Sequence, residues 1–253
     1  MGHAADTFGD RADRYAKMAG FSDESYYRPI IEAARPVAGD TALDIATGTG
    51  FLPLILSRFV REAVGCDPAP AMLAKGLERP VDSGLSDITL VEAPADALPF
   101  PDAHFSLATC RFAFHHFPDP AAALAEAYRV LLPGGRLVIE DIFGPGDNAV
   151  RLLRERIEKL LDSSHVVAYR PGELQDLLEE AGFSVESIEK KAEAEWPLEL
   201  ILELDRVEDP FVRTELTALL RENLDRDLGG FTAIEIDGSL ALRLRGMIAV
   251  AGK

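Results

Sequence analysis

The fold is decided by the segment Leu43-Asp44-Ile45-Ala46-Thr47-Gly48-Thr49-Gly50-Phe51. Its apolar residues predict a buried strand over 41–46, and the apolar run over 51–60 predicts a helix. Between them, two glycines spaced by one residue allow the backbone to adopt left-handed angles and to approach a ligand closely. In a parallel α/β sheet, the turn after the first strand is where nucleotide-like ligands bind.

The alternation of strands and helices continues toward the C-terminus. Further strands are predicted over 62–66, 88–91, 105–109 and 135–141, and helices over 69–77 and 120–131. Strands that alternate with helices indicate a parallel sheet with right-handed crossovers. Beyond Phe143 the pattern predicts helices over 148–162, 173–180 and 197–226, a sixth strand over 183–191, and a hairpin turn at Asp237-Gly238.

The composition limits the class of protein. The 253 residues are 47% hydrophobic and 27% charged, values that exclude wholesale disorder. The net charge of -17 disfavours nucleic acid and anionic membranes as partners, because both carry negative charge. No apolar run reaches the roughly 18 residues that a membrane span needs. Two cysteines, Cys66 and Cys110, are too few for a disulfide framework, and acidic residues near the N-terminus disfavour a signal peptide, so we expect a cytoplasmic protein.

Three carboxylates are associated with successive predicted strands. Asp44 lies just before the glycines, where a carboxylate suits a ligand with an ammonium group. Asp67 ends the second strand, where an acidic side chain can accept from both hydroxyls of a ribose. Asp96 follows the third strand and can accept from an adenine amino group. Pro53 replaces the third glycine of the G-x-G-x-x-G pattern, which disfavours a dinucleotide site but leaves an NAD-dependent oxidoreductase as an alternative.

These features resemble the class I S-adenosylmethionine-dependent methyltransferases. Three further motifs carry the resemblance: Ala95-Asp96-Ala97-Leu98-Pro99-Phe100, His115-His116-Phe117-Pro118-Asp119-Pro120 and Arg129-Val130-Leu131-Leu132-Pro133-Gly134-Gly135-Arg136-Leu137. More narrowly, residues 38–142 are similar to the small-molecule group that includes the ubiquinone/menaquinone C-methyltransferases. The resemblance implies an α/β fold, a Rossmann-like, doubly wound seven-stranded sheet whose last strand is antiparallel.

The resemblance also implies S-adenosylmethionine as the cofactor, with its methionine near the glycines, its ribose on Asp67 and its adenine near Asp96. The candidate cofactor-binding residues, from the residue pattern and the resemblance together, are Asp44, Ala46, Thr47, Gly48, Gly50, Asp67, Pro68, Met72, Ala95, Asp96 and Ala97, with Tyr15 and Arg111 in addition. The N-terminal arm resembles a cap over the cofactor, in which Tyr15 is the candidate for contacting the cofactor carboxylate. We expect a single domain with four parts: a helical cap (1–37), a cofactor-binding core (38–145), a mostly helical lid with the sixth strand (146–228) and a C-terminal β-hairpin (229–253).

Candidate catalytic residues follow the fourth predicted strand. His115 and His116 are candidate general bases, since imidazole titrates near neutral pH. Arg111 is a candidate for binding a carboxylate of the cofactor or of an anionic acceptor, with a structural salt bridge as the alternative. A polar loop that roofs the acceptor pocket in similar enzymes adds His165, Ser164 and Arg170. The spacing of the histidines indicates no metal site.

The predicted activity is methyl transfer to a small, apolar or aromatic metabolite at an oxygen, nitrogen or carbon atom. In such an in-line displacement the protein mainly aligns the reacting atoms and excludes water. Besides the oxidoreductase, the alternatives are a methyltransferase-like protein that binds the cofactor without turnover and an enzyme that methylates a basic protein. The amphipathic region Trp196–Leu228 is interpreted as a substrate lid or as a homodimer face.

Overall fold

The computed structural model describes residues 2–17, 24–78, 88–191 and 194–253. Its strands are β1 (Thr41–Ile45), β2 (Glu62–Asp67), β3 (Ile88–Glu92), β4 (Phe105–Arg111), β5 (Leu131–Ile142), β6 (Ser184–Lys190), β7 (Ala194–Pro197), β8 (Phe231–Ile236), β9 (Ser239–Leu244) and β10 (Gly246–Gly252). Seven of them form the main sheet in the order β3-β2-β1-β4-β5-β10-β6. β1 to β5 are parallel, and β10 is antiparallel to β5 and β6. The predicted seven-stranded sheet with an antiparallel last strand is confirmed.

Several of the helices begin at a capping residue. The helices are α1 (Gly2–Lys17), α2 (Arg28–Ala34), α3 (Phe51–Leu56), α4 (Pro70–Leu77), α5 (Pro120–Val130), α6 (Asn148–Leu161), α7 (Pro171–Glu180), α8 (Leu198–Leu204) and α9 (Pro210–Glu222). Asp119 caps α5 and Asp147 caps α6, each by accepting from a backbone amide in the first turn. Helix α3 ends at Leu56, short of the predicted end at residue 60. In the part of the chain that the structure describes, no helix is long and apolar enough to cross a membrane.

The side chains of the central strands alternate between two apolar layers. On β1, Leu43 packs into the layer that also contains Leu124 of α5, whereas Ala42 packs into the layer that contains Ile30 of α2. Every residue of β1 is buried. Helices therefore cover the sheet on both faces, which explains why its central strands are nearly continuous apolar runs.

A second sheet has the strand order β7-β9-β8. β8 and β9 form the hairpin predicted at Asp237-Gly238, and both turn residues have positive φ. Two boundaries differ from the sequence predictions. The segment 229–253 is more than a hairpin, because β10 leaves the second sheet and enters the main one. The region 197–226 is not one helix, because residues 205–209 separate α8 from α9, and β7 precedes it.

Helices α6, α8 and α9 pack on the second sheet around a separate apolar cluster that includes Leu202, Leu216 and Phe231. We call α6, α8, α9 and the second sheet the lid. Helix α1 lies against the lid as well as against α4. Its buried Arg11 places Nη1 3.1 Å from the carboxylates of both Asp162 and Asp205. The N-terminal helix is thus tied by charge to the loops that follow α6 and α8.

Candidate active site

A cavity of about 720 Å³ lies at the carboxyl ends of β1, β2, β4 and β5. This edge is where open α/β sheets bind their ligands. The glycine turn and the strand ends line the cavity on the side of the sheet. On the opposite side the lining is largely apolar and comes from α1, the lid and the loop after β4, and it includes Phe8, Phe117, Trp196, Ile201, Leu204 and Leu242. The cavity therefore joins a polar floor to a chamber whose wall is mainly apolar but also contains charged residues such as Arg154, Glu158 and Asp205.

The glycine turn bends the chain sharply at the cavity floor. Ala46 and Gly48 have φ angles of 56° and 58°, in the left-handed region. The Thr47 amide donates to the carbonyl of Cys66 at 2.9 Å, which holds the turn against β2. Left-handed backbone is unfavourable for alanine, and such strain is commonly found at functional sites. Ala46, Thr47 and Gly48 all line the cavity.

The two glycines of this turn have different surroundings. A Cβ atom on Gly48 would meet no atom within 4 Å, whereas a Cβ atom on Gly50 would lie 2.9 Å from the side chain of Leu90. Gly50 caps α3 with a φ of 75° and lies outside the cavity wall. Ala97, another predicted cofactor-binding residue, is exposed and also lies outside the wall. Gly48 leaves room for a ligand, while Gly50 is needed for packing on β3.

Asp44 is buried beneath the turn and lines the cavity. Its two oxygens accept from the hydroxyls of Thr47 and Thr109, at 2.6 and 2.7 Å. Burial raises the pKa of Asp44 to about 6, although these hydrogen bonds favour the charged form. Gly65 on β2 makes room for Thr47, because a Cβ there would lie 2.8 Å from its side chain. A cationic ligand group beside Asp44 would stabilise the ionised carboxylate, which burial disfavours.

Asp67 connects the end of β2 to the turn. Its carboxylate accepts from the amides of Gly48 at 2.8 Å and Ala69 at 2.9 Å. Burial raises the pKa of Asp67, while these two amides favour its ionised form. Each oxygen accepts one bond from the protein and keeps a lone pair for a further donor. Asp67 can thus accept from ligand hydroxyls while it fixes the shape of the turn.

The remaining predicted cofactor residues in the cavity wall are Pro68, Met72, Ala95 and Asp96. Met72 is buried and packs with α1 residues. Together with the open space over Gly48 and the carboxylates of Asp44 and Asp67, this set combines apolar surface with acceptors for ammonium, hydroxyl and amino groups. The donors of S-adenosylmethionine fit this arrangement of acceptors.

His115 is held by Asp141 at the end of β5. Its Nδ1 atom lies 2.6 Å from one carboxylate oxygen, and its backbone amide donates to the other at 2.9 Å. Burial disfavours the charged imidazole, but the carboxylate of Asp141 outweighs burial and raises the pKa of His115 above its ordinary value. His115 lines the cavity. A carboxylate that binds Nδ1 leaves Nε2 as the nitrogen available for a ligand.

His116 lies beside His115, with 3.9 Å between the ring centroids. Its Nδ1 atom is 3.1 Å from the Ser164 hydroxyl, and Phe8 of α1 packs edge-on against the ring. Burial and the charge of His115 lower the pKa of His116 to about 3. His116 therefore acts as a neutral imidazole. Ser164, itself buried in the cavity wall, also donates to Asp162 at 2.7 Å.

His165 belongs to a second carboxylate–imidazole pair in the cavity wall. Its Nε2 atom lies 2.6 Å from Glu155. Burial opposes ionisation of Glu155, but the bond from His165 lowers its pKa, so Nε2 carries the proton. The Nδ1 atom is enclosed, with no hydrogen-bond partner among the described residues. Across those same residues, no cluster of histidine, cysteine or carboxylate side chains could hold a metal ion.

Arg111 lines the cavity and is largely buried. Its Nε atom lies 3.1 Å from Glu140, its neighbour on β5, and Nη2 donates to the Tyr26 carbonyl at 3.2 Å. The guanidinium carbon lies 4.5 Å from the ring centroids of Tyr26 and Tyr27, and 4.7 Å from that of Phe112. Arg111 thus makes the structural salt bridge considered from the sequence and still faces the cavity.

Two other predicted residues have different environments. Tyr15 lines the cavity and interacts with Arg11 and Asp205, and burial raises the pKa of its phenol. Arg170 lies outside the cavity wall, where its side chain donates to the carbonyl of Pro145 at 2.9 Å near the start of α7. The proposed role of Tyr15 in contacting a carboxylate stays a prediction.

The charged partners of these residues were not predicted from the sequence. Glu140-Asp141 offered a usable signal, because two carboxylates end a buried strand at the ligand-binding edge. Glu155 gave no comparable signal, since it is one of many charged residues on an amphipathic segment.

Comparisons with known proteins give concordant matches. The methyltransferase domain family matches residues 43–139. The uncharacterized methyltransferase YcgJ of Bacillus subtilis is 30% identical over 72% of this chain and 72% of its own. The demethylmenaquinone methyltransferase of Thermus thermophilus is 37% identical over 69% of this chain and 89% of its own. A solved structure of a Bacillus halodurans protein matches with a TM-score of 0.81 at 28% identity, over 90% of this chain and 99% of that one.

Proposed function

Since the chain belongs to the class I S-adenosylmethionine-dependent methyltransferases, we propose that it methylates a small, largely apolar or aromatic metabolite at an oxygen, nitrogen or carbon atom. The observation that carries this proposal is the continuous cavity, which joins the floor around Asp44 and Asp67 to an apolar chamber under the lid. A chamber roofed by α1 and the lid suits a small acceptor better than a macromolecule. One relative is named for a small-molecule acceptor, demethylmenaquinone, which supports the same class.

The cofactor site is proposed at the floor of the cavity. When bound, S-adenosylmethionine supplies an electrophilic methyl group on a positively charged sulfur. Asp44 would hold the ammonium group, Asp67 the ribose hydroxyls and Asp96 the adenine amino group. Buried Pro53 stands where a dinucleotide site has its third glycine, and the carboxylates of the floor would repel a pyrophosphate, so a dinucleotide is disfavoured.

His115 is proposed as the general base for acceptors that lose a proton. Asp141 binds Nδ1 and stabilises the positive charge that forms when Nε2 accepts the proton. The apolar lining of the chamber excludes water from the displacement. The protein also aligns the acceptor atom with the methyl group.

Two measurements test this function. Calorimetry should show binding of S-adenosylmethionine and of its demethylated product, and NADH should not bind. Mass spectrometry after incubation with a panel of phenols, quinols and amines should then show a methylated product. If neither form of the cofactor binds, the function is wrong; if the cofactor binds but no acceptor in a broad panel is methylated, a non-catalytic role is favoured.

The same proposal extends to location and partners. Cys66 and Cys110 are buried free thiols, which supports a reducing compartment such as the cytoplasm. The charge of -17 disfavours nucleic acid as an acceptor. A homodimer through the lid remains a prediction that sedimentation would test.

A further inference from the structure

A buried cluster of three charges lies in the wall of the cavity beside the cofactor floor. Glu140 is fully buried, and its carboxylate is shared by Arg111, at 3.1 Å, and by the ammonium group of Lys191. Side-chain exposure is 8% for Arg111 and 16% for Lys191. Neither cation has a second carboxylate within ion-pair distance among the described residues. Among the described residues, the cluster therefore contains two cations and a single ion-paired carboxylate.

The charged cluster lies on strands farther along the sheet than those that carry the proposed cofactor residues. The proposed cofactor residues Asp44, Asp67 and Asp96 belong to β1, to β2 and to the segment after β3. Arg111, Glu140 and Lys191 belong to β4, to β5 and to the segment just after β6. In the strand order, β6 is four strands from β1. Since neighbouring strands lie about 4.8 Å apart, Lys191 leaves the sheet about 19 Å from β1. Its ammonium group therefore approaches Glu140 from the side of β6, which is the side away from β1.

Aromatic rings enclose the cationic cluster. Tyr26, Tyr27 and Phe112 surround the guanidinium of Arg111, and Trp196 packs edge-on against Tyr26 with 5.5 Å between ring centroids. All four rings line the cavity. A ligand group that reaches this cluster would meet two cations at its end and aromatic surface along its sides.

Other acidic groups in the acceptor chamber have cationic partners of their own. Glu158 pairs with Arg154, and Asp162 and Asp205 share Arg11. Burial raises the pKa of Asp205 to about 7, so this carboxylate is partly neutral at physiological pH. Beside Glu140, neither Arg111 nor Lys191 has a second carboxylate at ion-pair distance in the described part of the chain. Burial raises the pKa of Asp44 on β1, and the charge of Arg111 acts on that carboxylate only from a longer distance. A buried cation without a close partner of its own is unfavourable until a counterion binds.

We propose that Arg111 and Lys191 form an anion subsite that binds a carboxylate of the methyl acceptor, so that the acceptor is an aromatic or apolar carboxylic acid. The inference rests on the proposed function, because it assigns the acceptor of the same cavity. The carboxylate binds between the guanidinium and the ammonium group, and its apolar body extends along the aromatic rings. Lys191 is a specificity-determining residue in this arrangement, since it lies at the end farther from the cofactor floor.

The test compares carboxylates with their uncharged amides in the presence of saturating demethylated cofactor. Benzoate, phenylacetate and 4-hydroxybenzoate, and the three corresponding amides, are titrated by calorimetry into the wild type, Lys191→Met and Lys190→Met. We expect the acids to bind the wild type about tenfold more tightly than the amides or better, as for charge-assisted hydrogen bonds. Lys191→Met should lose this preference. Lys190→Met should keep it, because Lys190 is exposed, outside the cavity wall, with its ammonium group over Phe143.

Titration of the demethylated cofactor alone separates the possible failures. Unchanged cofactor affinity in Lys191→Met supports the proposal and shows that the variant is folded. A cofactor affinity reduced tenfold in Lys191→Met but not in Lys190→Met would mean that the subsite binds the cofactor's own carboxylate, and would overturn the acceptor assignment. Equal binding of acids and amides to the wild type would overturn it as well, while leaving the methyltransferase function intact. Absence of cofactor binding to the wild type would refute the proposed function and, with it, this inference.

Discussion

The Nδ1 atom of His115 lies 2.6 Å from Oδ1 of Asp141 although 26 residues separate them in the chain. The other oxygen of Asp141 accepts from the backbone amide of His115 at 2.9 Å, so the carboxylate fixes both the ring and the chain that carries it. This two-point contact sets the tautomer of the imidazole and leaves Nε2 as the basic nitrogen.

The first prediction concerns the pH dependence of methyl transfer. Asp141 raises the pKa of His115 above 6.5, and only the neutral imidazole can accept a proton. The rate with a hydroxyl acceptor should therefore rise with pH and level off above that raised pKa. Asp141→Asn should shift this limb to lower pH, and His115→Gln should reduce kcat by about 10² to 10⁴.

His104→Gln is the matched control for these variants. His104 is exposed and precedes β4, at the opposite end of the strand from the cavity. The kcat of this control should equal that of the wild type. A His115→Gln enzyme with an unchanged pH profile would show that the acceptor needs no base.

The second prediction separates the two glycines of the turn. Alanine at either position adopts positive φ, at a cost of about 1–2 kcal/mol in the free energy of unfolding. Gly50→Ala also forces a Cβ against Leu90 and should lower Tm more than Gly48→Ala. Gly48→Ala places its Cβ at the cavity and should weaken binding of the demethylated cofactor about tenfold or more. Calorimetry and thermal unfolding of both variants check this, and equal cofactor affinities would contradict it.

The third prediction concerns Asp67. Asp67→Ala removes an acceptor for ligand hydroxyls and for the Gly48 amide, so cofactor binding should weaken by about 1.5–3 kcal/mol. Calorimetry with the demethylated cofactor measures the change. Asp102→Ala removes an exposed carboxylate that pairs with Arg129 outside the cavity, and should leave cofactor affinity unchanged. If Asp67→Ala binds the demethylated cofactor as tightly as this control does, the ribose assignment is wrong.

The fourth prediction concerns Asp162 and Asp205, the two carboxylates that share Arg11. Their contributions to the free energy of unfolding should change with pH in opposite directions. Burial raises the pKa of Asp205 to about 7 despite Arg11, so its contribution to stability is present below pH about 4 and lost as pH rises through 7. Burial also opposes ionisation of Asp162, but His116 and Arg11 lower its pKa to about 2. Because His116 is neutral above pH 3, Arg11 is the charge that stabilises Asp162 at neutral pH. The contribution of Asp162 is therefore present above pH about 4 and lost as pH falls through 2.

Thermal unfolding between pH 4 and pH 8 checks these signs. Asp205→Asn should gain stability relative to the wild type as pH rises. Asp162→Asn should be less stable than the wild type at pH 7, by about 1.5–3 kcal/mol. Asp237→Asn, in the exposed hairpin turn, is the control and should show neither trend. Changes of the same sign in Asp162→Asn and Asp205→Asn would refute the account.

The main sheet could be predicted because its signals are local. Strand β1, its glycine turn and α3 are contiguous in the chain, and each has the periodicity or the turn residues that its structure requires. The hairpin at Asp237-Gly238 is predictable for the same reason. Strand β7 was missed because Ala194–Pro197 is a short edge strand next to a helix, and it pairs with β9, which lies more than 40 residues away.

The candidate site was predictable only where its residues are attached directly to strand ends. Asp44, Asp67 and Asp96 could be placed because the carboxyl ends of parallel strands share one edge. The role of Gly50 could not be predicted in this way, because it depends on Leu90 of β3, whose distance from the turn no local pattern specifies.

By itself, the sequence determined the alternation of strands and helices in the main sheet, the glycine turn and the carboxylates near it, because periodicity and turn chemistry act over a few neighbouring residues. Only the tertiary structure decided which charges are paired. Glu140 meets Arg111 from 29 residues away and Lys191 from 51 residues away. Such contacts arise when strands distant in sequence become neighbours in the sheet, and burial then determines whether each charge is compensated.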